Sequence, residues 1–346
     1  MFRKKTCIAL VALVLVVSLI GGCASKPAAE QPQGQKPASE QQAGGGKQTF
    51  ITIAGATSGG TYFLLANAMA KILNDKLGSQ GWKASAQSTP GTPTNIKLLG
   101  EKQIEFAFGQ AGIAYEAYNG IGSFAGKPKA DYLRAVMYMY PNVMQMVATK
   151  KSGVTSIDQL KGKTVCVGAA GSATELNSRD LLAQYGIDYV NRKDCKPEYT
   201  SESQSAELLK NGQADAANLI AAVPSAVMMD LTSQGIITIL PIEADVAEKL
   251  KKINPAYYAD KIPAGSYPGV DKDIPTVSVA NWIFTRADLP DDIVYNFVKT
   301  MYENQAQLVA AHKVAKNTTL ENALNGQTIP LHPGAEKYFR EKGIIK

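Results

Sequence analysis

The chain has 346 residues, 45% hydrophobic and 19% charged, with 36 Lys and Arg against 30 Asp and Glu. That is enough length and apolar mass for two ordinary domains or one large one, and it excludes a wholly disordered chain or a charged coiled coil. Two His and four Cys argue against His-based zinc or triad chemistry and against a disulfide scaffold, and leave a formal charge of +6 to be explained.

The N-terminus accounts for half of that charge. Arg3, Lys4 and Lys5 precede an apolar run from Ile8 to Ile20 that is too short for an ordinary membrane span. Residues 1–22 therefore read as an export signal. Ile20-Gly21-Gly22-Cys23 resembles the bacterial lipobox, in which the Cys is lipidated and becomes the new N-terminus. An ordinary signal peptide followed by a chance Cys is the alternative. Removal of the signal leaves a charge of +3, which is no nucleic-acid signature. Residues 23–48 then comprise the lipidated Cys23 and a tether of Pro, Gln, Gly, Ala, Ser, Lys and Glu. Such a tether spans roughly 25–30 Å and cannot bury a core. Export places the body in an oxidising compartment.

From Thr49 the texture changes. Phe50 to Ala54 reads as a strand, Gly55-Ala56-Thr57-Ser58-Gly59-Gly60-Thr61 as a turn, and Leu64, Leu65, Ala68, Met69, Ile72 and Leu73 as one face of a helix. The unit recurs with strand Lys163 to Val167, turn Gly168-Ala169-Ala170-Gly171-Ser172, and Leu176, Leu181, Leu182 and Tyr185. A second unit of helix end, turn and strand spans Leu98 to Phe108 and recurs from Leu208 to Asn218. Repeated βαβ units predict an α/β fold of two lobes with mostly parallel sheets. Asn142–Thr149 and Pro275–Phe284 read as crossover strands. A C-terminal helix around Ile293, Phe297, Met301 and Leu308 returns to the first lobe. The boundaries are 49–150 for the first part of lobe I, 151–274 for lobe II and 275–346 for the return to lobe I.

In open α/β sheets, ligands bind outside the carboxyl ends of the strands. Each lobe carries a Gly- and hydroxyl-rich turn there. Free N–H groups and the helix dipole favour an anion, and Ser58, Thr61, Ser172 and Thr174 add donors. Simple helix capping by the same Ser and Thr residues is the alternative. Neither turn has G-x-G-x-x-G spacing, and Gly162-Lys163-Thr164 precedes its strand, unlike a P-loop. No nucleophile–base or metal motif is apparent, and His312 and His332 sit in ordinary helix or loop sequence, so no enzyme, cofactor or metal is expected. Neighbouring strands would bring Cys166 and Cys195 into range of a disulfide, with two buried thiols as the alternative.

The exported body, about 49–343, resembles the TAXI class of solute receptors for TRAP (tripartite ATP-independent periplasmic) transporters. The resemblance is carried by Ile53-Ala54 through Gly59-Gly60-Thr61-Tyr62, Gln110 through Tyr115-Glu116-Ala117-Tyr118-Asn119-Gly120, and Gly153 with Asp158 to Lys163. It continues through Val167 to Glu175, Ile262 to Gly269, Glu321-Asn322-Ala323-Leu324 and Pro330 to Ala335. It implies a two-lobed periplasmic-binding-protein fold, type II-like, with a ligand cleft between the lobes and delivery to an ion-gradient-driven permease. Glutamate or glutamine leads as solute, then a dicarboxylate such as 2-oxoglutarate. A surface sensor lipoprotein without a transport role is the alternative. Gly112 and Pro93 depart from the family pattern near the pocket.

The expected ligand-binding set is Ser58, Gly59, Gly60, Thr61, Tyr62, Thr92, Asn95, Gln110, Tyr140, Gly171, Ser172, Thr174, Glu175 and Asn218. After signal removal, Arg134, Arg179, Arg192, Arg286 and Arg340 remain, and none lies in a glycine-rich turn. Glu175 would therefore pair with a ligand amine, unless it only favours a helix's first turn. The protein is expected to be a monomer, lipid-anchored to the outer face of the cytoplasmic membrane or periplasmic, with a small-molecule solute and a TRAP permease as partners and no nucleic acid.

Overall fold

The computed structural model describes residues 48–346. The export signal, Cys23 and nearly all of the tether lie outside the described residues. The first repeat is strand β1 (Thr49–Ala54), helix α1 (Thr61–Leu77), strand β2 (Trp82–Gln87), helix α2 (Thr92–Gly100) and strand β3 (Phe106–Gln110). Helix α3 (Ala111–Asn119) follows, and the long strand β4 (Leu133–Thr149) leads onward. The second repeat is β5 (Thr164–Cys166), α4 (Ala173–Gln184), β6 (Lys196–Glu198), α5 (Glu202–Lys210) and β7 (Ala216–Ala221). Helix α6 (Ala226–Ser233), strand β8 (Ile237–Ile239), helix α7 (Ala244–Ile253) and strand β9 (Tyr257–Ile262) lead to the second long strand, β10 (Ile274–Arg286). Helices α8 (Asp291–Glu303), α9 (Gln305–Ala311) and α10 (Pro333–Glu341) complete the fold. No helix among the described residues is long and apolar enough to cross a membrane.

The sheet order is β2-β1-β3-β10-β4-β7-β5-β6, with β8 on β4 and β9 on β10. This order is a palindrome of the two repeats about the β10–β4 pair. Within each repeat the strands are parallel. Strand β10 runs antiparallel to both β3 and β4, and β4 runs antiparallel to β7. Strand β3 therefore shares the direction of β4, and β7 opposes it. The first repeat lies along the early half of β4 and the second along its late half. Both sets of strands consequently end facing the middle of the central pair, where Gln110 meets Asn281 and Ala221 meets Val143.

Two glycines make the equivalent turns possible. A Cβ on Gly55 would lie 2.7 Å from the Phe63 Cα, and one on Gly168 would lie 2.8 Å from the Glu175 nitrogen. Only a bare backbone lets each strand end press against the first turn of its helix. The first repeat is also pinned by Asn95. Its Nδ2 donates to the Gly55 and Phe108 carbonyls, both at 2.8 Å, and its Oδ1 accepts from Thr89 Oγ1 at 2.7 Å.

The expected single C-terminal helix is two. Asn304 breaks it at φ −120° and ψ 25°, with its Nδ2 donating back to the Thr300 carbonyl. The segment still returns to the first repeat, where Phe297 stacks on Phe106 with ring centroids 3.9 Å apart.

The expected Cys166–Cys195 disulfide is not formed; both are buried free thiols. The register explains this. Thr164 pairs with Lys196 and Cys166 with Glu198, so Cys195 sits level with Lys163, three residues from Cys166 along the ladder. At 3.3 Å per residue the offset is about 10 Å, beyond disulfide reach, and an odd offset turns the side chains to opposite faces. Cys166 accordingly packs with Leu209 and Leu219, and Cys195 with the cluster holding Leu181 and Tyr189.

Two outcomes follow from this packing. Alkylation mapped by mass spectrometry should leave Cys166 and Cys195 unlabelled in the native protein and label both after denaturation; burial and Asp194 push the Cys195 thiol up to about 11, which suppresses its reactivity. Asn95→Ala should lower stability by about 2–3 kcal/mol in chemical denaturation, because the Phe108 and Gly55 carbonyls lose the Asn95 amide and Gly55 keeps only Thr89 Oγ1 at 3.2 Å as a side-chain donor.

Candidate functional site

A cavity of about 130 Å³ opens where the carboxyl ends of the two repeats meet. Four helix N-termini border it, through the N-cap residues Gly60 (α1), Gly91 (α2), Ser172 (α4) and Ser201 (α5). The two halves treat these termini differently. Helices α1 and α2 have glycine N-caps, no side-chain cap and no acidic residue in the first turn. Their free N–H groups and dipoles are left to a ligand. In the second half, Ser172 accepts from the Glu175 nitrogen at 3.2 Å, and Ser201 forms a reciprocal capping box with Gln204.

The central strands supply Tyr140 and Asn142 to the lining. Tyr62 stacks on Phe108 with centroids 4.9 Å apart, and its hydroxyl bonds Asn281. Burial raises the hydroxyl pKa of both Tyr62 and Tyr140, so both remain neutral donors. Asn281 lies between Gln110 and Tyr140 in the sheet, where a register shift leaves Met139 as an extra residue on β4. The extra carbonyl is satisfied by Thr318 Oγ1 at 2.8 Å. Gln110 also links the two repeats, its Oε1 accepting from Asn177 Nδ2 at 2.5 Å. Asn177 in turn accepts from the Tyr257 hydroxyl at 2.9 Å.

Of the expected ligand set, Gly60, Thr61, Tyr62, Thr92, Gln110, Tyr140, Ser172, Thr174 and Asn218 line the cavity. Ser58, Gly59 and Gly171 are exposed at the turns, outside the lining. Asn95 is buried in the strand-pinning role described above. Glu175 is also turned away. Its carboxylate accepts from Arg179 at 2.7 Å and from the Tyr189 hydroxyl at 2.8 Å, which leaves it no ligand amine to meet.

Sequence reading missed Glu202, a carboxylate in the cavity lining, which contains no Lys, Arg or His. It is the first residue of α5, and the first residue of α2 is Thr92, so it occupies the second repeat's counterpart of an expected site residue. The repeat symmetry carried that signal. Burial pushes its carboxyl up to about 7, with a hydrogen bond to Ser225 acting in the opposite direction. His312 and His332 are not in the lining. Each caps a helical turn, and His332 Nε2 lies 2.9 Å from the Leu289 carbonyl.

Glu175→Ala should therefore act on stability, lowering it by about 1–3 kcal/mol in denaturant titration through the lost Arg179 and Tyr189 contacts. The same variant should keep wild-type affinity for any solute that the protein binds.

Solved structures share this architecture at low identity. A binding protein component of an ABC phosphonate transporter from Pseudomonas aeruginosa is 14% identical, with a TM-score of 0.50 over 86% of this chain and 95% of that one. A Xanthomonas citri protein bound to ATP is 11% identical, with a TM-score of 0.50 over 85% and 96%. A periplasmic aliphatic sulphonate binding protein from Escherichia coli is 14% identical, with a TM-score of 0.46 over 84% and 78%. The fold is a mixed α/β fold that matches that of solute-binding proteins such as the phosphonate-transporter component. The NMT1-like family matches residues 53–343, nearly all of the described body, and the chain belongs to that family.

Proposed function

We propose that this chain is an extracytoplasmic receptor that captures a small solute bearing an anionic group and hands it to a membrane permease. One observation carries the reading: a cavity between two repeats, bordered by two uncapped helix N-termini and lined with hydroxyls and amides. Such a lining holds an anion through N–H groups and dipoles and lets it go without breaking a buried ion pair. The site binds rather than transforms. The lone carboxylate in the lining has no histidine or cysteine beside it there to serve as partner or nucleophile.

The finer assignments belong to the same proposal. The sequence resemblance favours the TAXI class, a TRAP permease as partner, and glutamate or glutamine before a dicarboxylate. The lipobox-like Ile20-Gly21-Gly22-Cys23 favours a monomeric body anchored through Cys23 on the outer face of the cytoplasmic membrane or in the periplasm.

Isothermal titration of the purified protein against glutamate, glutamine, 2-oxoglutarate and C4 dicarboxylates should show saturable binding of at least one solute, with a matching rise in Tm. Absence of binding across a broad metabolite panel, after removal of any copurified ligand by unfolding and refolding, would overturn the reading. Proteoliposomes holding the permease should take up that solute only when the receptor is added. Binding without receptor-dependent uptake would point to a sensor.

A further inference from the structure

The receptor reading leaves open what the second repeat contributes, and two acceptors there point to one ligand group. The first is Glu202, which faces a cavity lined by no Lys, Arg or His. The second is Asn218 on β7, which is 2% exposed and lines the same cavity. Its Oδ1 is buried with no hydrogen-bond partner. Ser178 Oγ donates to the Thr174 carbonyl at 2.8 Å and accepts from Asn218 Nδ2 at 3.0 Å. The Nδ2 edge is thereby committed and the Oδ1 edge is left over.

A buried acceptor without a donor is costly, and a carboxylate facing a cavity without a counter-charge is costlier. One ligand group satisfies both: a cation with several N–H donors. The first repeat offers the reverse, N–H groups and dipoles at the glycine-capped starts of α1 and α2. The cavity is therefore polarised, with uncapped helix N-termini on the first repeat's side and unpaired acceptors on the second's.

We infer that Glu202 and Asn218 Oδ1 form an ammonium-binding subsite, and that the solute is an amino acid whose carboxylate rests on the first repeat. This inference rests on the receptor reading above and moves the amine-recognising role from Glu175 to Glu202. A deaminated analogue would put a carbonyl oxygen or a methylene where the ammonium sits and leave Glu202 without a counter-charge, so this residue selects the amino acid.

The site also has a proton signature. The charge of Glu202 acts on Tyr140 of β4 and Tyr267 of the loop after β9, both held neutral by burial, and Ser225 hydrogen-bonds the Glu202 carboxylate. Among the cavity-lining residues Glu202 is therefore the one that changes charge near neutral pH; Asp180 of α4, outside the lining, is raised by burial to about 6. Seating an ammonium beside it favours the ionised form and releases a proton, up to about half an equivalent at pH 7. Seating a carboxylate there does the opposite and takes a proton up.

The test is titration of the purified protein and its Glu202→Gln variant with L-glutamate, L-glutamine, 2-oxoglutarate and glutarate, in two buffers of different ionisation enthalpy. The wild type should prefer the amino acids and release protons on binding them. Glu202→Gln should weaken the amino acids by about 30-fold or more, abolish the release, and bind 2-oxoglutarate and glutarate at least as well as wild type. Unchanged amino-acid affinity in Glu202→Gln would overturn the inference. So would a wild type that prefers 2-oxoglutarate or glutarate, although the receptor reading would stand. Should the variant fail to fold, the wild-type proton balance decides alone: release supports the subsite, and uptake or no change refutes it. A wild type that binds none of a broad metabolite panel would remove the receptor reading and this inference with it.

Discussion

The antiparallel pairing of two long strands, β4 and β10, is the constraint on which the rest depends. Each belongs to both halves of the molecule, so the parallel strands of each repeat must attach to opposite sides and opposite ends of one pair. A parallel βα unit exposes its glycine-rich turns at the carboxyl ends of its strands. Two such units attached with opposite sense must point those ends at each other. The cavity is thus a consequence of strand direction before any side chain is chosen. The side chains at the junction then find their places by register. Gln110, Asn281 and Tyr140 stand abreast on β3, β10 and β4 through the pairing register.

The same duplication sets up the chemistry and then breaks its symmetry. Both repeats present helix N-termini to the cavity, and an ideal duplicate would offer donors from both sides. Side-chain capping changes that balance. Glycine caps leave the first repeat's N–H groups free, whereas Ser172 and Ser201 spend part of the second repeat's donors on their own helices. Glu202 and the free Asn218 Oδ1 complete the inversion. A symmetric scaffold thereby becomes a polar one through a few substitutions at equivalent positions. Polarity of that kind fixes the orientation of a small solute inside the cavity.

Much of this was legible in the sequence, and the failures have physical causes. The strand–glycine–helix units declared themselves because Gly55 and Gly168 answer a backbone close approach that only glycine permits. The two crossover strands were legible as long apolar runs. Cys166 and Cys195 misled because strand adjacency was readable and register was not; three residues of offset put them on different faces. Asn95 and Glu175 were polar residues beside the right turns. What they do depends on partners as distant in sequence as Gly55 and Tyr189. Glu202 was missed because an acid at the start of a helix is well explained by the dipole alone, and only its counterpart position in the first repeat sets it apart.

A carboxylate placed in such a cavity has to be compatible with the empty state, and its environment shows how. Moving a carboxyl from about 4.5 to about 7 disfavours its charge by roughly 3 kcal/mol. For a group whose folded pKa is raised, this penalty is absent below the unfolded value of about 4.5, grows as pH rises, and is complete above about 7. Near neutrality the empty site therefore sits on the titration, part protonated, with most of the penalty already present. A bound ammonium reverses the balance by stabilising the charged form that burial opposes. The burial that makes the lone carboxylate unfavourable in the empty cavity also keeps water from competing for it when the cavity is filled. The penalty and the selectivity arise from the same desolvation, so packing changes that eased the first would weaken the second.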